Sequence, residues 1–263
     1  WLQTTAYADY ELGASLGDAS FRKYFVLQKD GEKLLVMDSS LEMESLAKFL
    51  QVHQLLSQCN IAVPRILASS KELGFLVLEN FGSTHYLDIL NTQNHSELYR
   101  KAMGEIVTMQ KCDPSSLPLY DKEFLLFEMN LMQEWYIEKL LKRALEPKKE
   151  QMLRATLNKI ADIVLEQPQN LFVHRDFHSR NIMLTDDDKV GVIDFQDAMS
   201  GALLYDLVSL LQDCYVCCER ESVVARVLEF KKLSGHDSTN NEQFVRWFDF
   251  MALQRHIKVL GVF

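Results

Sequence analysis

The stretch His174-Arg175-Asp176-Phe177-His178-Ser179-Arg180-Asn181-Ile182-Met183-Leu184 decides the fold class of this 263-residue chain. Apolar residues stand on either side of its polar centre, and those before it are interpreted as a buried strand. The polar residues between them are therefore expected on a loop, with Asp176 near its start.

A second apolar run follows this loop after a short gap. Asn181–Leu184 and Lys189–Ile193 flank the acidic turn Asp186-Asp187-Asp188, and this arrangement predicts a small hairpin set among helices. Asn181 begins the hairpin and Asp194 follows its end. The hairpin is therefore expected to bring these two side chains together.

Asp176, Asn181 and Asp194 carry the oxygen atoms that the transfer of a phosphoryl group requires. Such a reaction needs a group that orients the attacking hydroxyl and accepts its proton, and it needs cations on the phosphate oxygens. Asp176 suits the first role, while the amide oxygen of Asn181 and the carboxylate of Asp194 suit Mg²⁺. Asp and Asn are also common in turns, and His174 is interpreted as a buried residue that braces the loop.

The order His-Arg-Asp-x-x-x-x-Asn, followed by Ile193-Asp194-Phe195, is similar to the catalytic loop and the D-F-G segment of protein kinases. The loop also resembles the H-G-D-x-H-x-x-N pattern of the aminoglycoside phosphotransferase family, with Arg175 in place of the usual glycine. This resemblance implies an α+β, bilobal protein-kinase-like fold, with a small antiparallel-sheet N-lobe and a larger, mainly helical C-lobe. It also implies ATP as the phosphate donor, Asp176 as the catalytic base, and Asn181 and Asp194 as Mg²⁺ ligands.

The lobes are expected at residues 1–80 and 81–263, with a hinge near residues 79–83. Strands are expected in the N-lobe over residues 10–15, 21–28, 33–38 and 73–78, with a hairpin turn at Asp30-Gly31. Ser39-x-x-Glu42 has the pattern of a capping box and predicts the start of the one N-lobe helix. Helices are expected in the C-lobe over residues 94–110, 124–145, 150–166, 203–217, 221–233 and 241–260.

The resemblance also implies which residues bind the nucleotide. Gly17-Asp18-Ala19-Ser20 stands where kinases place the loop over the phosphates, although an ordinary hairpin turn explains this segment equally well. Glu79 and Phe81 fall where the family's hinge contacts adenine through the main chain.

One departure from kinases concerns the strand lysine that binds the nucleotide phosphates. Met37 holds that position in the strand Lys33–Asp38, so the charge must come from elsewhere. We hypothesise that Arg22 or Lys23, on the preceding strand, supplies it, although Lys23 by itself reads more simply as an exposed strand residue.

A narrower resemblance concerns the acceptor. Val192–Ala198 with Tyr205–Asp213 is similar to a branch of bacterial kinases that phosphorylate the anomeric hydroxyl of N-acetylmuramate and N-acetylglucosamine in cell-wall recycling. Asp206 fits the family's helix aspartate that steadies the catalytic loop, and fits equally a plain acid at a helix N-terminus. The candidate acceptor contacts are Arg180, Gln196, Asp197 and Asp213, with Arg175, Arg180 or Arg255 for a substrate carboxylate.

Two other functions stay open on the sequence. A kinase for aminoglycosides, choline or another small alcohol shares the chemistry and differs in its acceptor pocket. A pseudokinase that binds nucleotide or a partner without catalysis is favoured by the missing strand lysine. It is opposed by the intact Asp176, Asn181 and Asp194, which a non-enzyme has no physical need to keep.

The composition bears on partners and location. A formal net charge of −9 argues against a nucleic-acid groove, which needs Lys and Arg clustered on one face. No apolar run approaches the roughly 18 residues of a membrane span, and no signal peptide is visible, so a cytoplasmic enzyme without membrane partners is expected. The oligomeric state and the choice between ATP and GTP stay open.

Overall fold

The structure of the protein, a computed structural model, describes residues 1–16, 22–216 and 218–262. Its contacts divide the chain into two compact units. The first comprises Trp1–Ile89 and Arg180–Asp197, and the second comprises Leu90–Ser179 and Ala198–Phe263. The hairpin after the catalytic loop thus groups with the N-terminal unit, and the lobe boundary at residue 80 stays a prediction.

Among the described residues, the first unit holds a five-stranded antiparallel sheet with the strand order β1-β2-β3-β5-β4. The strands are β1 (Glu11–Leu16), β2 (Lys23–Lys29), β3 (Glu32–Asp38), β4 (Ile66–Ser70) and β5 (Phe75–Glu79). Asp30 and Gly31 join β2 to β3 with φ values of 49° and 88°, the left-handed backbone that a tight hairpin turn requires. The predicted hairpin is confirmed, since Lys29 pairs with Glu32 across the turn.

The sequence pattern does not predict β4. Its residues Ile66-Leu67-Ala68-Ser69-Ser70 show no clear alternation, and none of them is fully buried. The strand forms because its backbone pairs with β5 from Ile66 opposite Leu78 to Ser70 opposite Phe75. Pairing at a sheet edge depends on a neighbouring strand, which the local residue pattern does not report.

Helix α1 (Met43–Gln58) follows β3 and buries one apolar face. The buried residues recur every three or four positions, as the sequence predicts: Leu46, Phe49, Val52 and Leu56. The predicted capping box is wrong, because Glu42 itself is the N-cap and no side chain caps the helix. Ser39 is buried and its N–H binds the carbonyl of Gly74, so this residue belongs to the end of the sheet. A second helix in this unit, α2 (Tyr86–Ile89), is short.

The hairpin predicted after the catalytic loop is confirmed. Its strands Ile182–Leu184 and Val190–Val192 pair antiparallel within the first unit. The N–H of Val192 also binds the carbonyl of Ala62 at 2.8 Å, which ties the hairpin to the chain between α1 and β4. These main-chain bonds fix the positions of the residues that begin and follow the hairpin.

The second unit is mainly helical, as the sequence predicts. Its helices are α3 (His95–Met109), α4 (Lys122–Leu131), α5 (Pro147–Val164), α6 (Tyr205–Leu211), α7 (Arg220–Leu233) and α8 (Asn241–Val262). Strands Leu171–Val173 and Met199–Gly201 pair antiparallel in the same unit. Within the described ranges, none of the helices combines the length and the apolar character that a membrane span requires.

Two segments of the second unit differ from the sequence prediction. The single helix expected over residues 124–145 is α-helical only to Leu131 and continues as a π-helix over Met132–Leu140. The helix expected over residues 203–217 already ends at Leu211. There the carboxylate of Asp213 accepts the N–H of Tyr215, and such side-chain bonds compete with helix continuation.

Candidate active site

The catalytic loop begins where the buried strand Leu171–Val173 ends. The N–H groups of His174 and Arg175 donate to the two carboxylate oxygens of Asp206, at 2.7 and 3.0 Å. Asp206 lies in the first turn of α6 and is buried. A carboxylate that accepts two consecutive N–H groups fixes the course of the main chain at the start of the loop.

His174 is fully buried beneath this loop. The N–H of Asp176 donates to its Nδ1 at 3.3 Å, and its ring meets Phe177 edge-on, with the ring centroids 5.8 Å apart. Both contacts join the buried ring of His174 to loop residues and so stabilise the loop.

Arg175 has a φ of 77°, in the left-handed region that costs a residue with a Cβ about 1–2 kcal/mol. Its carbonyl oxygen accepts hydrogen bonds from Ser209 Oγ at 3.1 Å and from Arg255 Nη1 at 2.8 Å. Its guanidinium donates to Glu128 at 2.5 Å. Contacts of both the main chain and the side chain therefore hold this conformation.

Asp176 follows Arg175 and has cations around it. Burial alone would raise the pKa of its carboxyl, but the charges of Lys258 and Arg255, followed by His174 and Arg175, hold the pKa below its ordinary value. Lys258 and Arg255 both come from α8. Asp176 is therefore ionised at neutral pH, the state in which a carboxylate accepts a hydrogen bond from a hydroxyl.

Asn181 and Asp194 lie together at the ends of the hairpin in the first unit. Asn181 Nδ2 is 3.3 Å from Asp194 Oδ2, and the N–H of Ile193 binds the carbonyl of Asn181. Asp194 has a φ of 61°, and its side chain is 46% exposed. Gln196 Nε2 donates to the other carboxylate oxygen, Asp194 Oδ1, at 3.0 Å.

These two side chains fit a magnesium site. Mg²⁺ is usually held by one or two protein oxygens, with water and substrate phosphate oxygens completing its octahedron. An amide beside a carboxylate meets that requirement once the amide presents its oxygen rather than its nitrogen. In the part of the chain that the structure describes, no group of three or more His, Cys, Asp or Glu could hold a metal elsewhere.

Arg22 places a cation beside Asp194 within the first unit. Its Nη2 is 3.5 Å from Asp194 Oδ1, and its side chain is only 6% exposed. Lys23 is exposed, and Met37 on β3 is fully buried. Of the two residues that the sequence offers in place of the strand lysine, Arg22 is the one at the carboxylate.

The hinge candidates Glu79 and Phe81 flank the end of β5. The Glu79 carboxylate pairs with the Arg65 guanidinium through contacts of 3.0 and 3.2 Å. The ring of Phe81 lies against the hairpin so closely that a Cβ built on Gly191 would be 2.8 Å from it. The predicted phosphate loop, Gly17-Asp18-Ala19-Ser20, lies outside the described residues.

Three of the acceptor candidates belong to the first unit. Gln196 is buried and also donates to Asp197 Oδ2, at 3.2 Å, while Asp197 itself is exposed. Arg180 is exposed too, and its carbonyl oxygen is 2.7 Å from His85 Nδ1. The contacts of Gln196 hold Asp194, whereas the exposed Asp197 and Arg180 are open to solvent.

The other candidates belong to the second unit and have partners within it. The Asp213 carboxylate accepts the N–H and the hydroxyl of Ser179, at 2.9 and 2.5 Å, and so braces the catalytic loop near its end. The Arg175 guanidinium is held by Glu128, and Arg255 by the Arg175 carbonyl. Both arginines thus bind groups of the protein itself: Arg175 binds Glu128, and Arg255 binds the main chain of the loop.

Glu128 and Lys258 are residues that sequence reasoning missed. Glu128 is buried on α4, between Leu125 and Met129 on the apolar face of the helix. A carboxylate on a buried helix face predicts a charged partner, so this signal was visible in the sequence. Lys258 carries no comparable signal, because only the packing of α8 brings it to Glu128, at 3.0 Å.

These units have the fold of protein-kinase-like phosphotransferases. An ethanolamine kinase from Plasmodium vivax superposes with a TM-score of 0.69 over 98% of this chain and 77% of that chain. The two are 13% identical, so this likeness shows the fold alone. The predicted α+β, protein-kinase-like fold is confirmed.

A model of the phosphotransferase enzyme family matches residues 14–240, and the chain belongs to this family. A kinase from Neisseria meningitidis serogroup B, named N-acetylmuramate/N-acetylglucosamine kinase, is 39% identical over 100% of this chain and 81% of its own length. A kinase of the same name from Pseudomonas aeruginosa is 37% identical over 96% of this chain and 76% of its own. The predicted enzyme class, a phosphotransferase with an alcohol group as acceptor, is confirmed, and membership of this kinase family implies ATP as the phosphate donor.

Proposed function

We propose that the protein transfers the terminal phosphate of ATP to a hydroxyl of an N-acetylated amino sugar, either N-acetylmuramate or N-acetylglucosamine. The observation that carries the proposal is the 39% identity with a kinase named for these two sugars, over the whole of this chain. The anomeric hydroxyl as acceptor and a place in cell-wall recycling are parts of the same proposal. Because ATP is the donor, we expect the reaction in the cytoplasm.

In this proposal Asp176 orients the sugar hydroxyl and takes its proton. The hydroxyl oxygen forms a bond to the γ-phosphorus while the bond from that phosphorus to the bridging oxygen breaks, and ADP leaves with the electron pair. A loose transition state asks little basicity of the base, so a carboxylate with a lowered pKa suits the role. Its ionised state is supported by the nearby Lys258 and Arg255.

Asn181 and Asp194 would hold Mg²⁺, which when bound neutralises charge on the phosphate oxygens. Arg22 would add a positive charge close to the same carboxylate, as the strand lysine does in kinases. Glu79, Phe81 and the segment Gly17-Asp18-Ala19-Ser20 would bind the rest of the nucleotide. The position of each in the kinase pattern supports these roles.

The competing functions predict different outcomes of one assay. Solved kinases for aminoglycosides and choline share the fold at 13–17% identity, which does not favour their acceptors for this chain. A pseudokinase has no physical need for an ionised Asp176, or for the side-chain oxygens of Asn181 and Asp194 at the hairpin.

The proposal is tested by coupled ADP release over a panel of N-acetylmuramate, N-acetylglucosamine, glucose, choline and kanamycin. We expect Mg²⁺-dependent turnover with the two N-acetyl sugars. Asp176→Ala serves as the control and should lose on the order of 10³-fold in kcat or more, because it removes both orientation and proton acceptance. Turnover confined to choline or kanamycin would contradict the sugar assignment, and no turnover with any acceptor would favour the pseudokinase.

A further inference from the structure

Glu128 is a buried carboxylate that the proposed mechanism does not use. Its side chain is 3% exposed, and in the described part of the chain donors from three segments converge on it. They are Arg175 at 2.5 Å, Lys258 at 3.0 Å, Gln254 at 3.3 Å and the hydroxyl of Tyr120. Burial alone would raise the pKa of this carboxyl, but Lys258 and Arg175 outweigh it, and the pKa lies below its ordinary value.

Burying a charged carboxylate costs desolvation free energy. A buried ion pair contributes little net stability compared with apolar residues of the same volume. The Glu128–Arg175 pair is therefore poorly explained as a device for stability alone. Its second member, however, is the residue that directly precedes Asp176.

The backbone of Arg175 shows what depends on the pair. Its left-handed φ of 77° is unfavourable for a residue with a side chain. The side chain is held at its far end by Glu128 and lies over the ring of Phe124, 5.4 Å from the centroid. Both contacts come from α4, so this helix restrains the side chain of Arg175, while Asp206 accepts its N–H.

We propose that Glu128 is a positioning residue for phosphoryl transfer: through Arg175 it holds the catalytic loop in the left-handed turn that directs Asp176. Lys258 belongs to the same arrangement, since it binds Glu128 and its charge acts on Asp176. The inference rests on the proposed function, because it assigns the role of Asp176 to the same reaction.

The first test compares Glu128→Gln with the wild type, using the acceptor that gives ADP release in the panel. Glutamine keeps the shape and removes the charge that binds Arg175 and Lys258. We expect kcat to fall about tenfold or more while the KM for ATP stays within about twofold, because the group affected is the base and not the nucleotide site. Glu150→Gln, which breaks an exposed pair with Arg154, is the matched control and should leave both parameters unchanged.

The second test uses the backbone of Arg175. Arg175→Gly and Arg175→Ala both remove the ion pair, but only glycine adopts a φ of 77° without strain. We expect Arg175→Gly to keep several-fold more kcat than Arg175→Ala. The double variant Glu128→Gln/Arg175→Gly should lose no more kcat than the worse of its two single variants, since the two side chains act as one unit.

Each outcome decides the proposal. A kcat of Glu128→Gln within twofold of the wild type, multiplicative losses in the double variant, or Arg175→Ala at least as active as Arg175→Gly would overturn it. If Glu128→Gln does not fold, Glu128→Asp replaces it in the same comparison, because aspartate keeps the charge but shortens the side chain that reaches Arg175. A wild type without turnover on any acceptor overturns the proposed function, and this inference with it, whereas an active wild type with indifferent variants overturns only this inference.

Discussion

Asp206 binds the N–H groups of the two residues that precede Asp176. The surroundings of the two carboxyl groups nevertheless shift their pKa values in opposite directions. Burial raises the pKa of Asp206 to about 7, although its two N–H donors and Arg255 act against that shift. Asp176 meets more of the positive charge of Lys258 and Arg255, which lowers its pKa. One carboxyl is thus suited to hold a loop and the other to meet a substrate.

The raised pKa of Asp206 predicts how stability depends on pH. The folded protein binds this proton with a pKa of about 7, against an ordinary value of 3.8, so stability falls as the pH rises from about 4 to about 7 and levels off above that. Asp206→Asn does not titrate there. Relative to that of the variant, the unfolding free energy of the wild type, measured by urea unfolding, should therefore fall by up to about 4 kcal/mol between pH 4 and pH 8. Parallel pH profiles would show that Asp206 is charged throughout.

Arg22 and Lys23 are neighbours in sequence, but the first is buried beside Asp194 and the second is exposed. We expect Arg22→Ala to raise the KM for ATP about tenfold, because it removes a buried cation 3.5 Å from Asp194. Lys23→Ala is the matched control and should leave the KM within about twofold, since Lys23 is exposed. Steady-state kinetics over ATP concentration measure both, and an effect of Lys23→Ala alone would assign the missing charge to Lys23.

At the scale of elements, α4 and α8 carry the supports of the catalytic loop. Glu128 comes from α4, and Gln254, Arg255 and Lys258 come from α8. Gly261 of α8 packs against the end of α4, where an added Cβ would be 2.5 Å from the backbone nitrogen of Met132. Met132 is also the residue at which the α-helix gives way to the π-helix.

This close approach predicts the effect of two alanine substitutions. Gly261→Ala should lower the unfolding free energy by about 1–3 kcal/mol, because backbone atoms stand where the methyl group would go. Gly104→Ala in α3 meets nothing within 4 Å and should raise it by up to about 1 kcal/mol through helix propensity. Urea unfolding of both variants measures the contrast. A Gly261→Ala protein as stable as Gly104→Ala would mean that the two helices are further apart.

For the whole molecule, the catalytic loop and the hairpin join two units along one short piece of chain. Asp176 belongs to the second unit, whereas Asn181 and Asp194 belong to the first. Asn181 follows the proposed base by five positions and Asp194 follows it by eighteen. The proposed reaction needs Mg²⁺ on the phosphate oxygens as well as a base.

Binding of nucleotide should therefore stabilise the protein in a Mg²⁺-dependent way. At a hundredfold excess of MgATP over its Kd we expect a gain of about 2.7 kcal/mol, seen as a rise in Tm of a few degrees. EDTA or the Asp194→Asn substitution should remove most of this rise. Asp187→Asn, in the exposed turn of the same hairpin, should keep it, because Asp187 pairs with Lys189 and Thr185 within that turn. Equal shifts in both variants would contradict the metal assignment.

Much of this arrangement could be predicted from local sequence. The apolar runs and the turn residues at 182–194 predicted the hairpin, because strand pairing across a short turn depends on neighbours in the chain. β4 and the early end of α6 were not predicted, because a distant strand and the Asp213 side chain decide them. Helix boundaries depend on such competing contacts more than on periodicity.

By itself the sequence determined the identities and the order of the chemical groups: Asp176 on a loop, and Asn181 and Asp194 at the two ends of one hairpin. Short-range spacing suffices for this, because a loop and a hairpin are built from consecutive residues. Only the tertiary structure decided which residues surround them. Glu128, Lys258 and Asp206 act on the loop from helices distant in sequence. Their effect on its conformation and charge arises from burial and distance, which no local pattern carries.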